Sequence, residues 1–133
     1  MKRRQFLGAA ASAVIGLVTR AGWAGSYLDR AALMLDSARK EIATVKTRTG
    51  DKELLLVVKT MTEARLKVAR KMNVPAKVVS MHPHLMLVLE NYDRAIDSLI
   101  SGNNKKYAEC LVNASDEEKI FKKAGREDGK ERV

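Results

Sequence analysis

The sequence is poor in the residues that build disulfide frameworks, turns and sheets. Its 133 residues include one cysteine, two prolines, eight glycines and only 5% aromatic residues. A single cysteine cannot form a disulfide within the chain, which excludes a disulfide-stapled fold. β-branched residues do not alternate with polar ones over a useful length, so strands are not predicted. These absences favour an all-α protein.

The sequence motifs of common catalytic and cofactor sites are also missing. There is no His-Glu-x-x-His, no Gly-x-Ser-x-Gly, no glycine-rich phosphate loop and no EF-hand spacing. Covalent c-type haem would need Cys-x-x-Cys-His, and a ferritin-like di-iron site would need a histidine three residues after a glutamate. Neither pattern occurs. We therefore expect a protein without catalytic activity.

The first 25 residues combine a basic start, an apolar stretch and a small-residue end. Arg3 and Arg4 precede the apolar run 6–18, and small residues dominate 21–25. This order is typical of an export signal. The run ends after 13 residues, whereas a helix needs about 20 apolar residues to cross a bilayer. A cleaved signal is therefore favoured over a transmembrane span.

Two arginines, any residue and two large apolar residues form a pattern that this segment matches through Arg3, Arg4, Phe6 and Leu7. The segment resembles a twin-arginine translocation (Tat) signal peptide. The resemblance implies export by the Tat translocon to the periplasm or an equivalent location, or membrane anchoring if the signal stays uncleaved. Small residues place the cleavage site between Ala24 and Gly25, so cleavage would remove Trp23, the only tryptophan.

The rest of the chain is long enough for one domain. Residues 1–25 hold four of the 25 basic residues and none of the 16 acidic ones, so their loss lowers the net charge from +9 to +5. We expect an export signal over 1–25, a four-helix bundle over 26–124 and a charged, flexible tail over 125–133.

Four segments carry mainly apolar residues at spacings of three and four, which is typical of one face of a helix. The four predicted stripes are Leu28, Ala31, Leu35, Ala38, Ile42, Val45; then Leu54, Val57, Met61, Ala64, Val68, Met72; then Leu85, Val88, Tyr92, Ala95, Leu99; and last Tyr107, Leu111, Ala114, Glu118, Phe121. Short connections between amphipathic helices predict an antiparallel up-down-up-down four-helix bundle.

Residues between the stripes predict how the helices end. Gly50 suits a left-handed position after the first helix, and Asp51 suits the N-cap of the second. The connection 73–82 is longer and is expected to hold a short helical turn of its own. The segment 115–118 has the pattern of a capping box, which would restart the fourth helix.

Both histidines of the chain lie in the cluster Met81, His82, His84, Met86. Imidazole and thioether groups are ligands that copper accepts, Cu(I) in particular. A four-helix bundle can also ligate haem b through one histidine and one methionine, a weaker hypothesis here. The alternative is structural: His82 would cap the third helix, where helix N-terminal N–H groups favour anions over cations.

The second predicted helix is basic and the third is acidic. The candidate face for a partner or an anion comprises Arg65, Lys67, Arg70 and Lys71. The face is either a solvated surface that pairs with the third helix or a basic patch for an envelope protein or an anionic membrane surface. The exported location and the few aromatic residues disfavour nucleic acid.

The only cysteine, Cys110, falls on an apolar-periodic position, which favours a core residue over a disulfide between subunits; the sequence predicts no oligomeric state. Taken together, these patterns predict an exported helical-bundle binding or accessory protein. The alternative is a copper protein that uses the His82 and His84 cluster.

Overall fold

The computed structural model of the chain describes the backbone of residues 23–131 and the side chains of residues 26–126. It contains α1 (Trp23–Lys46), α2 (Lys52–Lys71), a 3₁₀ helix (Ala76–Val78), α3 (His82–Ile100) and α4 (Asn104–Glu131). The packing of these helices, with no strand in the described range, confirms the predicted all-α four-helix bundle. The up-down-up-down order stays a prediction, and the signal motif Arg3, Arg4, Phe6 and Leu7 lies outside the described residues.

Polar caps and one glycine define the turns. The Asp51 carboxylate accepts a hydrogen bond from the backbone N–H of Leu54 at 3.0 Å, which confirms the predicted N-cap of α2. Gly102 has a φ of +76° and closes α3, because its N–H donates to the carbonyl of Leu99 while the Asn103 N–H donates to that of Ser98.

The left-handed conformation predicted for Gly50 is wrong. Among the described glycines, Gly102 alone has a positive φ. The chain leaves α1 through a turn in which the Asp51 N–H donates to the Arg48 carbonyl at 3.0 Å, and this turn does not require a positive φ at Gly50. The longer connection does contain the expected short helix, and its Val78 is fully buried.

The core forms one large cluster and a smaller one at the end of the bundle where α1 meets α2. The stripes predicted for α1, α3 and α4 line these clusters, and all five stripe residues of α3 are buried. Cys110 is a buried free thiol, as expected for a core residue. Gly125 lets α4 approach the start of α3, since a Cβ at that position would lie 3.0 Å from the Met81 Cε atom.

The stripe predicted for α2 is wrong. The buried residues of this helix are Leu55, Val58, Thr62, Leu66 and Ala69. Val57, Met61 and Val68 of the predicted stripe are instead 57%, 44% and 57% exposed. In the observed orientation of the helix, the polar side chains Lys59, Thr62 and Arg65 meet acidic partners on neighbouring helices. We call Val57, Met61, Ala64 and Val68 the outer stripe.

Helix α4 is continuous. It passes 115–118 without the restart that a capping box would produce, and it continues through Gly125 to Glu131, so the described part of the predicted tail is helical. The described part of helix α1 includes Trp23 and Ala24, so the predicted cleavage position lies within this helix. Within residues 23–131, none of the helices combines the length and apolar character that crossing a bilayer requires.

Candidate functional site

The two histidines at the start of α3 contact different helices. The ring of His82 meets Tyr27 of α1 edge to face, with ring centroids 5.8 Å apart, and the Tyr27 hydroxyl and His82 Nδ1 are hydrogen-bonded at 3.0 Å. His84 Nδ1 instead donates to Glu117 Oε2 of α4 at 2.7 Å. The histidines therefore join the first turn of α3 to α1 on one side and to α4 on the other.

Both methionines of the proposed copper cluster contact the core. Met81 is buried in the main core, and Met86 packs against the same core. Each of the four candidate ligands thus has a packing or hydrogen-bonding partner of its own. Among the residues that the structure describes, no three His, Cys, Asp or Glu side chains form a group that could hold a metal ion.

A buried ion pair joins α1 to α2. Arg65 and Glu41 form a salt bridge in which each side chain retains only 10% of its accessible surface. The second carboxylate oxygen, Glu41 Oε1, is buried and has no hydrogen-bond partner within the described residues. Arg65 was one of the residues predicted for a partner face, and its guanidinium is engaged inside the protein.

A second polar cluster joins α2 to α3. Lys59 Nζ lies 2.9 Å from both carboxylate oxygens of Asp93 and 2.8 Å from Asp97 Oδ2, and the Thr62 hydroxyl donates to Asp93 Oδ1 at 2.6 Å. Burial lowers the pKa of Lys59, but the hydrogen bonds and charges of Asp97 and Asp93 outweigh it, and the net pKa is raised. The opposite charges of the second and third helices therefore compensate one another.

A third cluster joins α1 to α4. The buried Glu118 carboxylate pairs with Arg39 and, at 2.9 Å, with Lys122. Burial raises the pKa of Tyr92, and the nearby charge of Glu118 adds to this effect. Glu118 was predicted on the core stripe of α4, whereas Arg39 was missed because apolar periodicity carries no information on ion pairs between helices.

Three of the cations that remain on α2 form a basic patch. Lys67, Arg70 and Lys71 are exposed, and none of them forms an ion pair within the described part of the chain. Arg70 and Lys71 lie in the last turn of α2, where positive charge also compensates the helix dipole. We use the name basic patch for these three residues.

Two depressions in the surface are mainly apolar. One, of about 410 Å³, lies at the end of the bundle between the two turns and is lined by Leu55, Leu56, Leu99 and Ile100 among others. The second, of about 360 Å³, is a groove between α1 and α2 that borders the outer stripe at Val57 and Met61. We call the second depression the α1/α2 groove.

Comparisons with protein-family models, with curated proteins and with solved structures give no match to this chain.

Proposed function

We propose that the protein is an exported, non-catalytic binding module that holds an acidic partner protein of the cell envelope through its basic patch. The export signal expected at the start of the chain supports the location. The unpaired cations of α2 support the type of partner, because complementary charge steers association and aligns the two surfaces.

One observation carries the proposal: some cations of α2 form ion pairs within the protein, whereas others are exposed to solvent. Lys59 and Arg65 are neutralised by acidic side chains of α3 and α1. Lys67 and Arg70, within one turn of each other, point to solvent. Intramolecular pairing therefore accounts for the first two cations and leaves the basic patch for a partner.

The test places a photo-crosslinking residue at Lys67 in the exported protein, and at Val112 on α4 as the control position. We expect an adduct of defined mass from position 67 that position 112 does not give. Lys67→Glu/Arg70→Glu should abolish binding of the purified partner, and binding to the wild type should weaken steeply with salt. Lys105→Glu/Lys106→Glu makes the same change in charge on α4 and should leave binding intact.

Two results would overturn the proposal. Identical adducts from both positions would show that contact is unspecific. Binding to vesicles of anionic phospholipid, lost in the Lys67→Glu/Arg70→Glu variant while no protein adduct forms, would make the ligand a membrane surface instead of a protein.

Copper binding through Met81, His82, His84 and Met86 is the alternative that the ligand chemistry raises. The positions of these side chains speak against it, because His82 and His84 turn towards different helices and Met81 is buried in the core. Stoichiometric copper in the wild type that is lost from His82→Ala/His84→Ala would establish a metalloprotein. A Soret band lost in the same variant would establish haem b.

A further inference from the structure

Helix α2 has two apolar faces, and the bundle uses only one of them. The outer stripe residues Val57, Met61, Ala64 and Val68 follow one another at spacings of four, three and four. This is the heptad spacing of a seam between two packed helices. Three of the four are large apolar side chains that are between 44% and 57% exposed, and a contiguous exposed apolar stripe of this kind marks an interaction surface.

The α1/α2 groove extends the apolar area beside the outer stripe. It runs alongside Val57 and Met61 and is also lined by Leu54. Lys40, the cation on the α1 wall of this groove, is paired with Asp36 at 3.0 Å. A helix that packed on the outer stripe would therefore also contact an apolar groove. Lys40, the cation on the rim of this groove, already has an acidic partner.

The charges at the two ends of the outer stripe are opposite. Glu53 precedes Val57 by four residues and Lys71 follows Val68 by three, so each charge is the helical neighbour of one end of the stripe. The two residues are 18 positions apart, which is five turns at about 3.6 residues per turn, so both lie on the same side of the helix. Both are exposed, and neither forms an ion pair within the described residues.

We propose that a second copy of this chain covers the outer stripe, with the two α2 helices packed antiparallel about a two-fold axis between Met61 and Ala64. In this arrangement Val57 of one copy lies opposite Val68 of the other. Each Glu53 then lies opposite Lys71 of the second copy, which gives two pairs of opposite charge. Parallel packing would instead place like charges together. The small side chain of Ala64 lets the helices approach closely beside the axis.

This inference goes beyond the proposed function and needs only Lys71 of the basic patch. Lys67 and Lys71 follow Ala64 and Val68 by three residues and flank the outer stripe, whereas Arg70 lies away from it. Arg70→Glu should therefore weaken binding of the acidic partner and keep the dimer. Failure of one proposal can then be distinguished from failure of the other.

The first test is sedimentation equilibrium of the purified protein from about 1 µM to about 1 mM, a range that detects even weak association. We expect a monomer–dimer equilibrium. Val68→Lys should abolish the dimer, because it buries two unpaired ammonium groups at the seam. Val112→Lys is the matched control, since Val112 is 59% exposed on α4, and this variant should dimerise as the wild type does. Circular dichroism confirms that both variants fold.

The second test exchanges the charges. Glu53→Lys and Lys71→Glu should each raise the dissociation constant by about tenfold through repulsion of like charges across the seam. The double variant should restore wild-type affinity, and a mixture of the two single variants should form heterodimers. A wild type that is monomeric throughout the range would overturn the proposal. So would a dimer that persists in Val68→Lys, or a double variant without recovery.

Discussion

Arg65 of α2 and Glu41 of α1 form a salt bridge in which both side chains are nine-tenths buried. Removal of one partner leaves the other charge in the interior without compensation. We predict that Arg65→Met lowers the free energy of unfolding by about 3 kcal/mol, measured by urea denaturation. The effect should be large because Glu41 Oε1 already has no hydrogen-bond partner within the described residues.

The control for this pair is the apolar double variant. Glu41→Leu/Arg65→Met removes both charges and should recover most of the lost stability, since an apolar pair of similar volume replaces a buried ion pair at little cost. Arg70→Met removes an exposed cation of the same helix and should change stability by less than about 0.5 kcal/mol. Equal losses in the single and double variants would contradict the prediction.

The hydroxyl of Tyr27 should stay protonated in the native protein far into the alkaline range. Burial raises its pKa to about 12, and Arg30 offsets only part of this effect. Because the unfolded pKa is 10.0, the contribution to stability is complete below pH 10 and is lost as the pH rises towards 12. Over this window the free energy of unfolding should fall by about 3 kcal/mol through this residue alone.

Ultraviolet titration of phenolate tests this prediction. The pKa values of Tyr92 and Tyr107 are also raised by burial, so the native protein should show little phenolate at pH 10, whereas the urea-unfolded chain should titrate normally. Tyr27→Phe should remove the titration step at the highest pH and reduce the alkaline loss of stability. A normal phenolate titration in the native protein would show that Tyr27 is solvated.

The cluster around Lys59 should depend far more on Asp93 than on Asp97. The Asp93 side chain is 15% exposed and accepts from both Lys59 and Thr62, whereas that of Asp97 is 55% exposed. We expect Asp93→Asn to cost about 2 kcal/mol of folding stability and Asp97→Asn less than about 1 kcal/mol. Thermal and urea unfolding of the two variants provide the measurement, and equal losses would refute this ranking.

The same cluster has a defined dependence on pH. The net pKa of Lys59 is raised in the folded protein, so its stabilising contribution is complete below the unfolded pKa of 10.5 and is lost as the pH rises through the folded value. Lys59→Met should therefore lower the free energy of unfolding at neutral pH. It should also reduce the fall in that free energy as the pH becomes alkaline.

The two glycines after α1 and α3 should differ in their response to alanine. Gly102 has a φ of +76°, whereas Gly50 does not have a positive φ, and no atom lies within 4 Å of a Cβ built at either position. We predict that Gly102→Ala costs about 1 kcal/mol through backbone strain. Gly50→Ala should be neutral or stabilise slightly, because it lowers the entropy of the unfolded chain. Urea denaturation of the two variants gives the comparison, and equal effects would contradict the assigned turns.

Apolar periodicity was sufficient to predict three of the four helix faces. Along α3 every stripe residue from Leu85 to Leu99 is buried. Along α2 the rule selected the outer stripe, because all four of its residues are apolar, whereas the buried face includes the polar Thr62. Hydrophobicity ranks faces one helix at a time, whereas Thr62 is buried with a hydrogen bond to Asp93 of α3, which no local pattern contains.

The sequence predicts the chemical type of the residues in the candidate site but not the side chains that they contact. Lys67 and Arg70, which the charge pattern assigned to a candidate partner face, are exposed. The sequence could not show that Arg65 would pair with Glu41. The two histidines are close in sequence, yet residues two apart on a helix point in different directions, and His82 and His84 accordingly contact α1 and α4.

The position of Trp23 makes the predicted export testable with one spectrum. The first core residue described on α1 is Tyr27, so cleavage after Ala24 would leave the described core side chains in place and the bundle should keep its stability. We expect protein from the exported fraction to lack tryptophan emission and to begin at Gly25 by mass spectrometry.

The export route is tested by variants of the arginine pair. Arg3→Lys/Arg4→Lys should retain a fluorescent, full-length chain inside the cell, because the Tat pattern depends on the arginine pair. The control variant Lys105→Arg/Lys106→Arg should be exported normally. Export of the Arg3→Lys/Arg4→Lys variant at the wild-type rate would show that the protein follows the general secretory route, and tryptophan emission from exported protein would show that the signal is retained as an anchor.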